Sequence, residues 1–232
     1  NEDPMYILAG LPFIAPGYSS ARLLKDVQMG YLQAKFATRG LMILYTSPWP
    51  GQGFYTKSPV NSVADFKGKK LRIYSTATQQ MGSMLGFNAT ILPFAEIPQA
   101  FSTGLIEALF TSPQTGIDIQ AWDNTKHFTY AGAIFSKNAV VVSKKAFNAL
   151  SKGDQSNILA AAKKAELRGW EMSAETTKKQ IDILKKNGMS AKNAPDEVIS
   201  KMKSIGLEMM KSWRSKASPE ANAVLDRYLS MR

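Results

Sequence analysis

The run from Asp154 to Asn187 contains no proline, alternates lysines with alanines, leucines and glutamates, and meets a plausible stop at Gly188. As one helix rising about 1.5 Å per residue it would reach about 50 Å, well beyond the ~30 Å that a 20-residue helix already spans across a small domain. Such a helix either bends, with Gly169 the natural place, or crosses two lobes. The sequence also breaks at Trp49-Pro50-Gly51 and at Ser136-Lys137-Asn138.

Ahead of that run the pattern is α/β. A helix is expected from Tyr18 to about Arg39, closing on Gly40, with Leu23, Leu24, Val27, Tyr31, Leu32 and Phe36 on a helical repeat. Strands are expected at Met5 to Leu11, Leu41 to Tyr45 and Phe54 to Thr56. Three βα units follow: Leu71 to Tyr74 with a helix through Leu85, Thr90 to Leu92 with Ile97 to Ser102, and Leu105 to Phe110 with Gly116 to Trp122. Thr129 to Ile134 and Ala139 to Ser143 read as two more strands, and the remainder as helices, including Pro195 to Trp213 and Pro219 to Tyr228. That alternation is the rhythm of a parallel sheet.

Within the first βα unit, Gly68-Lys69-Lys70-Leu71-Arg72-Ile73-Tyr74 sets an arginine inside an apolar strand. Alternation sends Leu71 and Ile73 to one face and Arg72 and Tyr74 to the other, so the second face is wet or holds an anion. Ser75 then supplies a hydroxyl cap for the next helix. Arg72 thus falls at a strand-to-helix junction, where open α/β sheets bind ligands and helix N-termini favour negative charge. Thr111-Ser112-Pro113-Gln114-Thr115-Gly116 has the same character: hydroxyls and free amides after a buried strand, suited to a carboxylate or simply to capping. Trp49 between turn residues suits a pocket wall or lobe packing. Asn138, at the second break, suits a ligand contact or a tie across the hinge. Trp122 and Trp170 sit among apolar neighbours and read as core.

Composition removes several alternatives. With no cysteine there is no thiol catalysis, disulfide or thiolate metal site, and with His127 as the single histidine no serine triad or histidine-rich metal centre can be built. Asp118 and Asp123 do not share a helical face well, and no phosphate loop occurs, so no cofactor is expected. The net charge of +11 comes mainly from paired lysines such as Lys163-Lys164 and Lys178-Lys179 on the exposed face of helices, without interleaved aromatics, so nucleic acid is not an expected partner. No apolar run approaches the ~20 residues that span a bilayer. The opening Asn1-Glu2-Asp3-Pro4 is acidic and turn-forming, unlike a signal peptide.

The blocks GLPFIAP, LYTSPWPGQGFYTKSPVNSVADFKGKKLRIYS, PQAFSTGLIEALFTSPQTGIDIQAWD, KNAVVVSKKAFNALSKGDQ and RGWEMS, in this order and spacing, resemble the solute-binding proteins of tripartite ATP-independent periplasmic (TRAP) transporters. The resemblance implies a two-lobed periplasmic-binding-protein fold of type II-like topology. A long helix crosses both lobes, and the cleft between them closes on a small organic acid. It implies lobe I from residues 1–50 and 138–177 and lobe II from 51–137 and 178–232, with lobe I incomplete because members of the family begin with additional βα units. A further N-terminal segment is then expected to pair with Met5 to Leu11 and Leu41 to Tyr45. Arg72 takes the position of the arginine that salt-bridges the ligand carboxylate, and Trp49, Gln52, Tyr74, Ser75, Thr111, Ser112 and Asn138 are the other candidate ligand contacts.

Where sialic-acid-binding members carry a second arginine this chain has Gln52, and where many carry asparagine before a proline it has Ser112. The resemblance therefore implies a monocarboxylate with an apolar or modestly polar body. It further implies a non-enzymatic, monomeric periplasmic protein that delivers its ligand to the TRAP membrane subunits. The alternative is an enzyme of organic-acid metabolism anchoring its substrate on Arg72.

Overall fold

The structure is a computed structural model that describes residues 3–232. Asn1 and Glu2 of the acidic opening lie outside the described residues. The chain forms helix α1 (Gly17–Ala37), strands β1 (Leu41–Pro48), β2 (Gly53–Thr56) and β3 (Lys70–Ile73), helix α2 (Thr76–Met84), strand β4 (Asn88–Ile91) and helix α3 (Ile97–Ser102). Strand β5 (Ala108–Thr111), helix α4 (Pro113–Asp118), strands β6 (His127–Tyr130) and β7 (Lys137–Ser143), and helices α5 (Lys144–Asn148) and α6 (Lys152–Lys186) follow. Strand β8 (Ser190–Asn193) and helices α7 (Asp196–Lys216) and α8 (Pro219–Ser230) complete it.

Two sheets result. A six-stranded sheet has the order β4-β3-β5-β2-β6-β8, and β1 and β7 form a separate antiparallel pair. Strand β3 runs parallel to β4 and β5, as the βα rhythm predicts, while β2 is antiparallel to both β5 and β6. Leaving the two-stranded sheet at Pro48 and rejoining it at Lys137, the chain crosses twice between sheets. The first crossing lies at the break read from the sequence; the second runs through 131–136 and meets the expected break at Ser136, since Lys137 and Asn138 already belong to β7.

Helix α6 is the third connection. It runs unbroken for 35 residues, about 52 Å, through Gly169. Ser151 caps its start by accepting from the Asp154 amide, Lys185 and Lys186 sit in its last turn where the carbonyl ends favour cations, and Gly188 (φ +86°) takes the left-handed turn that ends it. Its N-terminal part packs on β1, where Trp170 is buried and points its indole nitrogen at the Thr46 hydroxyl. Farther along it packs on α4 and β8, and Leu184 is buried in the core of the six-stranded sheet. Helix α6 therefore stays helical through Gly169 and packs against both sheets.

Three sequence expectations are corrected. Met5 to Leu11 is not a strand. Residues Pro4–Gly10 form a 3₁₀ helix, because the Asp3 carboxylate caps the Met5 amide, Pro4 fits the first turn, and the buried Met5 and Leu8 lie three apart, the 3₁₀ repeat. The Trp213 indole of α7 fastens this turn through the Pro4 carbonyl at 2.7 Å. It follows that the expected extra strand has no strand partner at Met5 to Leu11, and Leu41 to Tyr45 is already paired on one edge with β7.

The strand expected from Thr129 to Ile134 ends at Tyr130, because the Gln52 carbonyl captures the Ala131 and Gly132 amides and turns the chain toward the second crossing. The C-terminal remainder is not wholly helical, since β8, a short polar strand, extends the sheet beside β6. Of the two tryptophans read as core, Trp170 is buried and Trp122 half-buried.

Candidate functional site

Both sheets contribute to one cleft of about 700 Å³. Arg72, Tyr74 and Ser75 from the β3–α2 junction line it together with Thr111 and Ser112 from the β5–α4 junction. Trp49 and Gln52 come from the first crossing and Asn138 from the second. Every candidate ligand contact read from the sequence therefore lines the same space, brought there from separate parts of the chain.

Alternation along β3 produces the key feature. Leu71 and Ile73 are fully buried in the core, while Arg72, only 4% exposed, points the other way. Its Nε donates to the Leu92 carbonyl at 3.0 Å, fixing the side chain, and its guanidinium lies 5.9 Å from the centre of the Tyr74 ring. Among the described residues no carboxylate pairs with it. Burial pulls its pKa below the usual arginine value, opposed by Tyr74, but arginine is too basic for that to remove the charge. A buried guanidinium held at one nitrogen and lacking an acid partner presents its remaining N–H groups to the cleft, matched to a carboxylate fork.

Around Arg72 the other polar groups are already oriented. The Tyr74 hydroxyl donates to Gln52 Oε1 at 2.7 Å, and Gln52 Nε2 donates to the Ser136 hydroxyl at 3.1 Å. Burial pushes the Tyr74 phenol up to about 12, so it stays a neutral donor at any working pH. Gln52 thus does not merely stand in for a charged contact; its amide joins β2, β3 and the second crossing.

Ser112 caps α4 by accepting from the Thr115 amide at 3.1 Å, and Ser75 caps α2 from the Thr78 amide at 3.2 Å. In both serines the hydroxyl is engaged with its own helix. Ser112 is held from behind as well: the buried Tyr55 hydroxyl donates to its carbonyl at 3.1 Å, and Gly116 leaves the room this requires, since a Cβ there would collide with the Tyr55 ring. Trp49 Nε1 donates to Asn138 Oδ1 at 3.2 Å, tying the two crossings at the cleft mouth.

Sequence reasoning passed over Lys137, Gln28, Thr46 and Phe94, which also line the cleft. Lys137 adjoins the Asn138 that was singled out, so its place at the start of a crossing strand was the available signal. Gln28 sits on a helix face read only for its apolar repeat. Asp118 reaches the rim, where it accepts from Gln114 Nε2 at 2.7 Å. His127 lies on β6, away from the cleft-lining set, with its pKa lowered by burial and by Lys192. Among the described residues no cluster of three or more His, Asp or Glu side chains is arranged to hold a metal, and no helix is long and apolar enough to cross a membrane.

Known proteins share this fold. A Bordetella pertussis extracytoplasmic solute receptor binding pyroglutamic acid is 38% identical and superimposes with a TM-score of 0.96, over 98% of this chain and 76% of that one. A marine metagenome TRAP solute binding protein specific for pyroglutamate, in complex with co-purified pyroglutamate, is 32% identical with a TM-score of 0.93, over 98% of this chain and 75% of its own. A solute-binding protein of Chromohalobacter salexigens is 25% identical over 187 residues, covering 77% of this chain. The chain spans little more than half the length of the curated relatives it matches, 55% and 58%. The sequence pattern of bacterial extracellular solute-binding protein, family 7, runs through residues 2–216, and the chain belongs to that family.

Proposed function

We propose that this chain captures a small carboxylate, pyroglutamate or a monocarboxylate of its size, between two lobes outside the cytoplasm, and delivers it unchanged to TRAP membrane subunits. The observation that carries this reading is Arg72: buried, fixed through Nε, without a carboxylate partner among the described residues, and facing the cleft. A guanidinium in that state costs desolvation free energy that an incoming carboxylate offsets through paired, charge-assisted hydrogen bonds. Support for the size and class of ligand comes from relatives at 38% and 32% identity that bind pyroglutamate. Thr111, Ser112, Tyr74 and Gln52 then contact the ligand body from the six-stranded sheet, and Trp49, Ser75 and Asn138 from the cleft walls.

The division of the chain into lobe I (1–50 and 138–177) and lobe II (51–137 and 178–232) is part of the same proposal. Helix α8 reaches back across that division to pack on α1, with the Tyr228 hydroxyl donating to the Ile14 carbonyl at 2.9 Å. The crossings at Trp49-Pro50-Gly51 and Ser136-Lys137-Asn138, with α6, form the hinge. A ligand touching both lobes binds the closed form better and shifts the population toward it. Small-angle scattering of the full-length protein is expected to show a smaller radius of gyration with saturating pyroglutamate than without.

Recovery of the ligand tests the proposal against the enzymatic alternative. Pyroglutamate bound by calorimetry and released by denaturing the complex is expected to be chemically unchanged by mass spectrometry. A converted product would move Arg72 to the role of a substrate anchor.

A further inference from the structure

Among the described residues, one cation besides Arg72 lines the cleft. Lys137 begins β7 opposite Pro48 of β1, so it enters from the two-stranded sheet while Arg72 enters from the six-stranded one. Its Nζ donates to Gln28 Oε1 at 2.9 Å, and Gln28, almost fully buried, is held at its other end by Met5 Sδ at 3.3 Å. An ammonium has three donors, and this bond uses one.

The neighbouring Lys25 is different, for its charge is compensated within its own lobe. It pairs with Asp26 at 2.6 Å and with Glu166 at 3.2 Å, and Glu166 also accepts from the Thr46 amide and hydroxyl. Among the described residues no carboxylate pairs with Lys137, and the acid lining the cleft, Asp118, is exposed at the rim and occupied by Gln114.

We propose that Lys137 is a second ligand contact, donating to an acceptor oxygen at the end of the ligand away from the Arg72-bound carboxylate. The cleft then selects a carboxylate bearing a carbonyl-type oxygen, such as a lactam, over a hydrocarbon acid of the same shape. This rests on the carboxylate-capture reading above and specifies it. The physical ground is the asymmetry of buried donors: an apolar ring placed against Lys137 strips its water and returns nothing, whereas a carbonyl oxygen replaces that water. Lysine suits this role better than arginine because a single-point donor on a flexible stem accepts one oxygen without demanding a fork.

Protonation follows from the same geometry. Burial, and next the charge of Lys25, lower Lys137 to about 8, so in the free protein it is partly deprotonated near that pH. The charged and titratable groups around it are Lys25 and Asp26 on α1, Glu166 on α6, Arg72 and Tyr74 across the cleft, and Asp118 at the rim. Of these, the carboxylates are engaged elsewhere, so an anionic ligand is the new negative charge that binding adds. It raises the Lys137 pKa, so binding takes up protons at about pH 8 and affinity falls as pH rises through that value.

The test is calorimetry on the full-length protein with pyroglutamate and with cyclopentanecarboxylate, which keeps the carboxylate and ring but lacks the lactam. The wild type is expected to prefer pyroglutamate. Lys137→Met should weaken pyroglutamate about tenfold to a hundredfold, leave cyclopentanecarboxylate within about threefold, and so erase most of the preference. Titrations at pH 8 in two buffers of different ionisation enthalpy should show proton uptake by the wild type and none by Lys137→Met. Unchanged pyroglutamate affinity in Lys137→Met, or a wild type that takes up no proton, would overturn the assignment while leaving carboxylate capture intact. A wild type that binds neither acid would overturn both. The wild-type proton measurement needs no variant, so the assignment remains testable even if Lys137→Met folds poorly.

Discussion

Arg72→Ala is expected to reduce pyroglutamate binding below detection. In the closed cleft the variant leaves the ligand carboxylate desolvated and without its bidentate partner, a loss on the order of 2 to 5 kcal/mol, or roughly thirtyfold to several-thousandfold in affinity. Folding should change little, because Leu71 and Ile73 keep their core contacts and a buried charge is removed together with the bond from Nε to the Leu92 carbonyl. The loss of that donor to the Leu92 carbonyl costs about 1 kcal/mol, a few degrees in melting temperature. Arg72→Lys should recover only part of the affinity, since an ammonium cannot reproduce the parallel donors of a guanidinium. Calorimetry beside thermal denaturation of the ligand-free proteins separates the two effects. A large drop in ligand-free stability with retained affinity would make Arg72 a structural residue.

The second large effect falls on folding at the floor of the cleft. Gly116→Ala would place a Cβ against the Tyr55 hydroxyl and Cζ and 2.7 Å from Cε1. Tyr55 has nowhere to retreat: it is fully buried, and its ring lies 4.5 Å, centre to centre, from that of Phe128. Overpacking of this kind costs about 1 to 3 kcal/mol, and displacing the hydroxyl from the Ser112 carbonyl adds about 1 kcal/mol. Denaturant unfolding should therefore show a loss of about 2 to 4 kcal/mol. Tyr55→Phe in the same chain should not rescue it, because the ring carbons clash as well as the oxygen. The residual binding of the variant should also weaken, since Ser112 and the start of α4 move with Tyr55.

Much of this architecture is legible in the amino-acid sequence because it rests on short-range rules. The proline-free run gives α6 its length, and that length leaves a bend or a second lobe as the alternatives. Alternation across Leu71-Arg72-Ile73-Tyr74 separates core from cleft before any contact is known. Cleft membership was legible for several residues at a strand end or chain break, as with Ser75, Ser112, Trp49 and Asn138.

The losses have equally definite causes. Met5 to Leu11 reads as a strand because its apolar residues are contiguous, and only the Asp3 cap and the Trp213 bond, which reaches across the whole chain, decide for the 3₁₀ turn. Strand β8 is invisible because Ser190–Asn193 is polar and gains its structure from β6 alone. Lys137 lay in a break read for Asn138, and Gln28 on a helix face read for its apolar repeat; the bond that joins them spans 109 residues. Gln52 was legible as a position but not as a junction, since its bonds to Tyr74 and Ser136 belong to the tertiary structure.

The central claim is that the cleft recognises a carboxylate through Arg72, and a calorimetric comparison of pyroglutamate with pyroglutamide tests it most directly. The two ligands share ring, lactam and shape, and differ in that the second carries a neutral carboxamide where the first carries a charge. An amide offers one acceptor and brings two donors against the guanidinium, so it cannot complete the fork. The expected result is one pyroglutamate per wild-type chain and at least about a hundredfold weaker binding of pyroglutamide. Equal affinity of the wild type for the two ligands would contradict it.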